Sequence, residues 1–156
     1  MKHPDKNVSR QRRQRGSTAV EFALIFPLFF LIFYAIVTYS IIFAAKQSLA
    51  LAASEGARAA LKFQPNANSA ASALTLRASA ACTAATGLVN WLATTTPCTA
   101  TYAPCTFDAS MQCVQVSLKY NYASNPLVPV LPLIGLPTPA TLTANAMVQL
   151  NPENLF

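Results

Sequence analysis

The residues best suited to chemistry form the run Arg-Gly-Ser-Thr-Ala-Val-Glu-Phe, residues 15 to 22. Gly16 adds no side chain directly before a hydrophobic stretch, so a protease at the inner face of a membrane would meet an unhindered, extended peptide there. A cut between Gly16 and Ser17 would create an α-amino cation on Ser17 and make Glu21 the fifth residue of the product. A carboxylate at the opening of an apolar helix is costly when it lies unpaired in lipid. Glu21 therefore needs a reason. One is proximity to the positive helix N-terminus and headgroup water; the other is pairing with the Ser17 amine of a neighbouring copy as helices bundle.

Cys82, Cys98, Cys105 and Cys113 form the second chemical set. An even count in a small extracytoplasmic domain suggests two disulfides, and four cysteines allow three pairings. Cys82 with Cys98 and Cys105 with Cys113 is the favoured arrangement, because the second pair closes a short turn leading into a strand. There is no Cys-x-x-Cys, and the one histidine, His3, lies far away in the basic N-terminal stretch. A zinc site or a redox dithiol is thus poorly supported. After Glu21 the acids are Glu55, Asp108 and Glu153, and no nucleophile stands with a base. The expectation is a protein that is not an enzyme and needs no cofactor or metal.

The elements that hold these residues follow from charge and periodicity. Lys2, Lys6, Arg10, Arg12, Arg13 and Arg15 all precede Gly16, opposed only by Asp5, whereas the rest of the chain is nearly neutral. No aromatic residue interleaves with the arginines, which argues against nucleic acid. Lysines and arginines beside an apolar span hold that end in the cytoplasm. The span is Phe22 to Ala45, with 24 consecutive uncharged residues, and at about 1.5 Å per residue it crosses a hydrocarbon core of about 30 Å. It exceeds a cleaved signal's usual apolar run and ends in a poor exit site at Phe43-Ala44-Ala45.

Residues 1–16 therefore read as an unstructured basic leader, 17–45 as a transmembrane helix and 46–156 as an extracytoplasmic head. Within the head, Leu49, Ala52, Ala53, Gly56, Ala57, Ala60 and Phe63 recur at helical spacing over 46–63. Their small volume reads as a seam for close packing, in the preferred reading by the next helix, predicted over 67–93 with Asn66 and Asn68 as caps, and in the alternative by another subunit on the same face. Residues 94–112 read as a loop. Period-two alternation predicts antiparallel strands at 113–122 and 141–150, and the five-proline link between them is an apolar extended loop that either folds over the core edge or, where exposed, marks a partner or membrane surface. The fold class is α+β and membrane-anchored: one long helix, a second helix and a small antiparallel sheet.

Residues 14–63 resemble the TadE-type pseudopilins of the tight-adherence (Tad or Flp) pilus system. The resemblance rests on Gly16, on the Ala-x-Glu-Phe-Ala-Leu core at Ala19 and Glu21 to Leu24, on Pro27, and on Glu-Gly-Ala-Arg at 55–58. It implies a pilin-like architecture and a cut after Gly16 by the system's aspartyl prepilin peptidase. It further implies assembly through Glu21, Phe22 and Pro27 with other pilins, pseudopilins and inner-membrane pilus proteins. The implied location is the bacterial inner membrane, with the N-terminus cytoplasmic, the head periplasmic and lipid around the span. The 140 residues after the cut exceed a short major pilin, which implies a minor subunit. The competing reading is an uncleaved, single-pass envelope binding or adhesion protein.

Overall fold

A computed structural model describes residues 11–92, 97–131 and 135–155, with side chains from Thr18 onward, Asn154 apart. The first ten residues of the expected leader lie outside the described residues. So do the final position of the helix expected over 67–93 and residues 132–134 of the proline-rich link. The chain divides into two units, Met1–Ser40 and Ile41–Phe156.

The first unit carries the opening of α1 (Gln11–Ala60). The helix begins within the expected leader, before Gly16, and runs through Pro27. The extended backbone expected at Gly16 is thus helical instead, because nothing between Gln11 and Ser17 interrupts the hydrogen-bond ladder that the span propagates, and glycine alone costs only about 1 kcal/mol there. Every large apolar side chain from Val20 to Phe33 is exposed, Leu24 by 74%. That much contiguous apolar surface is not stable in water and requires lipid or other helices around it. Among the described residues, α1 is the one helix long and apolar enough to cross a membrane.

The second unit is built on the remainder of α1, on α2 (Ala70–Leu88), and on a three-stranded antiparallel sheet of β1 (Cys98–Pro104), β2 (Gln112–Asn121) and β3 (Thr141–Leu150) in the order β1-β2-β3. A 3-10 turn follows at Pro152–Asn154. The chain breaks at Leu61 to Ser69, and α2 starts with a reciprocal capping box between Ser69 and Ser72. The cap is therefore Ser69, the residue directly after Asn68, rather than either of the asparagines predicted. Phe63 also departs from expectation. It lies beyond the helix, which ends at Ala60, and is 62% exposed.

One core joins the helices to the sheet. Ala45, Leu49, Ala52, Ala53, Ala57 and Ala60 of α1 are buried with Ala73, Leu74, Ala81 and Ala85 of α2. The sheet contributes Val114, Val116, Leu118 and Tyr120 from β2 and Leu142, Ala144 and Leu150 from β3. Their alternation sets the register, with Val114 opposite Val148 and Leu118 opposite Ala144, because a one-residue slip would turn each of these side chains to solvent.

The segment read as a loop, residues 94–112, contains β1, a strand that the sequence reading missed. Its opening residues do alternate, with Cys98 and Ala100 half-buried against the core and Thr99 and Thr101 exposed, but the pattern is short, built of small residues, and gone by Tyr102. Two disulfides fasten it: Cys82–Cys98 ties its start to α2, and Cys105–Cys113 closes the turn into β2.

Candidate functional site in the N-terminal helix

Gly16, Ser17, Glu21, Phe22 and Pro27 all lie on α1. The helical backbone at Gly16 and Ser17 bears on cleavage, because a peptidase takes its substrate extended. Arg15 to Ser17 must unwind locally before any cut. Gly16 is where that unwinding is easiest, since glycine in a helix loses more backbone freedom than any other residue.

Glu21 is exposed on the helix. Directly after it, an aromatic ladder rises at i, i+4 spacing, the geometry in which helical side chains meet. Phe22 and Phe26 have ring centroids 5.3 Å apart, Phe26 and Phe30 6.2 Å, and Phe30 and Tyr34 6.4 Å. A second pair, Phe29 and Phe33, stacks at 6.4 Å. The ladder gives this part of the helix a broad, preformed aromatic face. Pro27 lies within it and has no N–H, so the Ala23 carbonyl lacks its usual helical donor. Farther on, the Thr38 hydroxyl donates to the Tyr34 carbonyl at 2.8 Å and the Ser40 hydroxyl to that of Ile36 at 2.7 Å. Both hydroxyls are thus satisfied within an apolar segment.

In the second unit, Gly56 is the closest point of the small-residue seam. A β-carbon placed on it would lie 2.8 Å from the Ala81 carbonyl oxygen, 2.9 Å from the Ala85 β-carbon and 3.4 Å from a Val116 methyl. The seam is therefore internal to the head, against the next helix and the sheet, as the packing reading anticipated.

Arg77 was not singled out from the sequence, yet it is the main polar tie of the head. It is 2% exposed, and its guanidinium donates to the carbonyls of Ala60 at 3.0 Å, Leu61 at 3.2 Å and Leu155 at 3.3 Å. A cation on the last carbonyls of α1 satisfies acceptors that the helix leaves open and opposes its negative end. Burial pushes the Arg77 pKa down from its ordinary value. The only sequence signal was one arginine among alanines at a core-facing position, which spacing alone cannot distinguish from a solvated residue. Among the described residues no group of histidine, cysteine and carboxylate side chains is arranged to hold a metal.

Comparison with known proteins gives one match. Residues 16–58 fit the family model described as TadE-like protein, a span that begins at Gly16 and ends just past the Gly56 contact. No curated protein and no solved structure matches the chain. The matched segment is consistent with a component of the Tad pilus system, and the apolar helix within it suggests a membrane anchor.

Proposed function

We propose that this chain, TadE-like over residues 16–58, is a minor pseudopilin of a Tad-type pilus. It is a structural subunit held in the bacterial inner membrane by α1, with its disulfide-bonded head on the periplasmic side and its N-terminus in the cytoplasm. A prepilin peptidase cuts it between Gly16 and Ser17. The Ser17 amine of one copy then pairs with Glu21 of a neighbouring pilin or pseudopilin while the aromatic face from Phe22 packs between helices. Loosening at Pro27 helps the helix move from lipid into an assembly.

The observation that carries this reading is the extent of the TadE-like match. It covers the processing residues, the apolar span and the Gly56 seam on one helix. The head is thereby fastened to the element that carries the processing signal. Mass spectrometry of the mature chain tests it: a terminus at Ser17 is expected, and an intact Met1 terminus in cells that contain the peptidase would refute processing.

The continuous helix through Gly16 favours one alternative, an uncleaved anchored envelope protein that binds a ligand or adheres through its head. A bulky residue at Gly16 separates the two. Loss of processing and assembly supports the pseudopilin, and indifference supports the static anchor.

A further inference from the structure

The contacts inside the second unit fix which of its ends lies toward Ile41 to Ala45, where α1 enters that unit. Arg77 gathers the carbonyls of Ala60 and Leu61 with that of Leu155. Leu155 closely follows β3, whose Leu150 pairs with Gln112 at the start of β2. Farther along β2, Val116 meets Gly56. Strand β2 therefore runs antiparallel to α1, from the Ala60 level toward the Ile41 level. From Val116 to Asn121 the strand advances about 16 Å, the length of about eleven helical residues, which from Gly56 leads toward Ala45.

The connection after β2 thus leaves the head at the end where α1 is still uncharged, at Ile41 to Ala45, before the first following cation, Lys46. Helix α2 arrives at the same end. Its Arg77 stands by Ala60 and its Ala81 and Ala85 by Gly56, so Leu88, the last residue of the helix, lies farther toward Ala45, and Trp91 is in the turn that follows it. The Cys82–Cys98 bridge, with Cys98 opposite Leu118, is consistent with this direction.

Both ends of the head expose large apolar residues, Phe63 by 62% and Phe107 by 65% at the far one, and what distinguishes this end is its charge. The chain carries no charge between Lys119 and Glu153. Val130 is 72% exposed, Trp91 58% and Leu88 49%. The loop that presents Val130 is held in place: Ala123 N–H donates to the Ala140 carbonyl at 3.0 Å, Tyr120 donates to the Asn125 carbonyl at 2.6 Å, and Val128 is buried. Lys46 and Lys119 are exposed nearby. Asp108, in the β1–β2 turn, and Glu153, after β3, lie at the opposite end of the head, and Glu55 is paired with Arg58. An exposed tryptophan, an uncharged apolar loop and flanking lysines are the composition of a lipid interface.

We infer that this end of the head rests on the bilayer, with Trp91 and Val130 at the headgroup–acyl boundary and Lys46 and Lys119 against anionic phosphates. The inference rests on the reading of Phe22–Ala45 as a bilayer span. The occupant is lipid rather than a second copy, because the surface lies at the end of the second unit where Ile41 to Ala45 of α1 are uncharged and carries the charge sign that anionic phospholipid attracts. A head held down in this way has its orientation restricted before any assembly begins.

The test uses the full chain in phosphatidylcholine–phosphatidylglycerol vesicles. Trp91 is the single tryptophan, so its emission is a native reporter. Replacing the lipids by acyl-brominated ones is expected to quench it, because an interfacial tryptophan lies within reach of the acyl chains, and a Trp91→Phe, Val130→Trp chain should respond in the same way. Neither reporter being quenched, in a chain that resists alkaline carbonate extraction, overturns the inference and leaves the anchor intact. Emission that is insensitive to brominated lipid but changes on diluting the protein in the membrane assigns the surface to a second copy and also overturns it. Extraction by carbonate overturns the anchor itself.

Discussion

Gly56 and Ala81 approach so closely that a β-carbon on the glycine would fall 2.8 Å from the Ala81 carbonyl oxygen. Gly87, near the end of α2, has nothing within 4 Å of the same added atom. Two chemically identical substitutions should therefore have opposite signs. Gly56→Ala gains helix propensity but overpacks a backbone contact, and a net loss of about 1–3 kcal/mol is expected. Gly87→Ala meets no obstacle and should be neutral or stabilising by about 0.5 kcal/mol. Denaturant unfolding of the two variants checks this; equal effects would mean that the seam is looser than described.

Arg77→Met keeps much of the side chain's volume and removes its donors. The carbonyls of Ala60, Leu61 and Leu155 then lose a charged partner, and each buried unsatisfied group costs about 1–3 kcal/mol. The expected result is a markedly lower unfolding midpoint, with faster amide exchange at the end of α1 and around Leu155. Exchange confined to α2 would show that the arginine does not join the three segments.

Tyr120 provides a pH signature. Burial raises its phenol pKa above the ordinary value, so the folded chain holds this proton more tightly than the unfolded chain does. The associated stability is fully present below the unfolded value of about 10 and is lost as pH rises through the folded pKa. Tyr120→Phe should flatten stability in that alkaline window while also removing the hydrogen bond to Asn125. Phenolate absorbance measured alongside unfolding distinguishes this tyrosine from the exposed ones.

Glu21→Ala separates processing from assembly. The cut between Gly16 and Ser17 should persist, because the acid lies beyond the bond, whereas piliation should fall. Normal piliation in that variant would remove the docking role of the carboxylate.

The parts of the fold readable in the sequence were those with an unbroken apolar run or a period. The span was legible from its length alone, whereas the alanine seam and strands β2 and β3 repeat an apolar residue at 3.6 or 2 positions, and the structure places the seam and the strands accordingly. Strand β1 was not readable because its alternation, Cys98 and Ala100 half-buried between exposed Thr99 and Thr101, is too short and too weakly apolar to stand out among the threonines and prolines around it. It exists through its pairing to β2 and its two disulfides. The start of α1 was misjudged for a different reason. Arginine and glutamine are good helix formers, and the basic composition concealed that propensity. Among the site residues, Gly16 and Glu21 stand out by chemical type, whereas Arg77 becomes visible only when three distant carbonyls converge on it.

That convergence orders events in time as well as space. Arg77 bonds Ala60, 17 positions earlier, and Leu155, 78 positions later. During synthesis the α1–α2 hairpin can form early from local contacts, but its buried cation waits for a chain segment made much later. The hairpin by itself supplies the Ala60 and Leu61 acceptors, and the third, Leu155, exists only once the chain beyond β3 has been made.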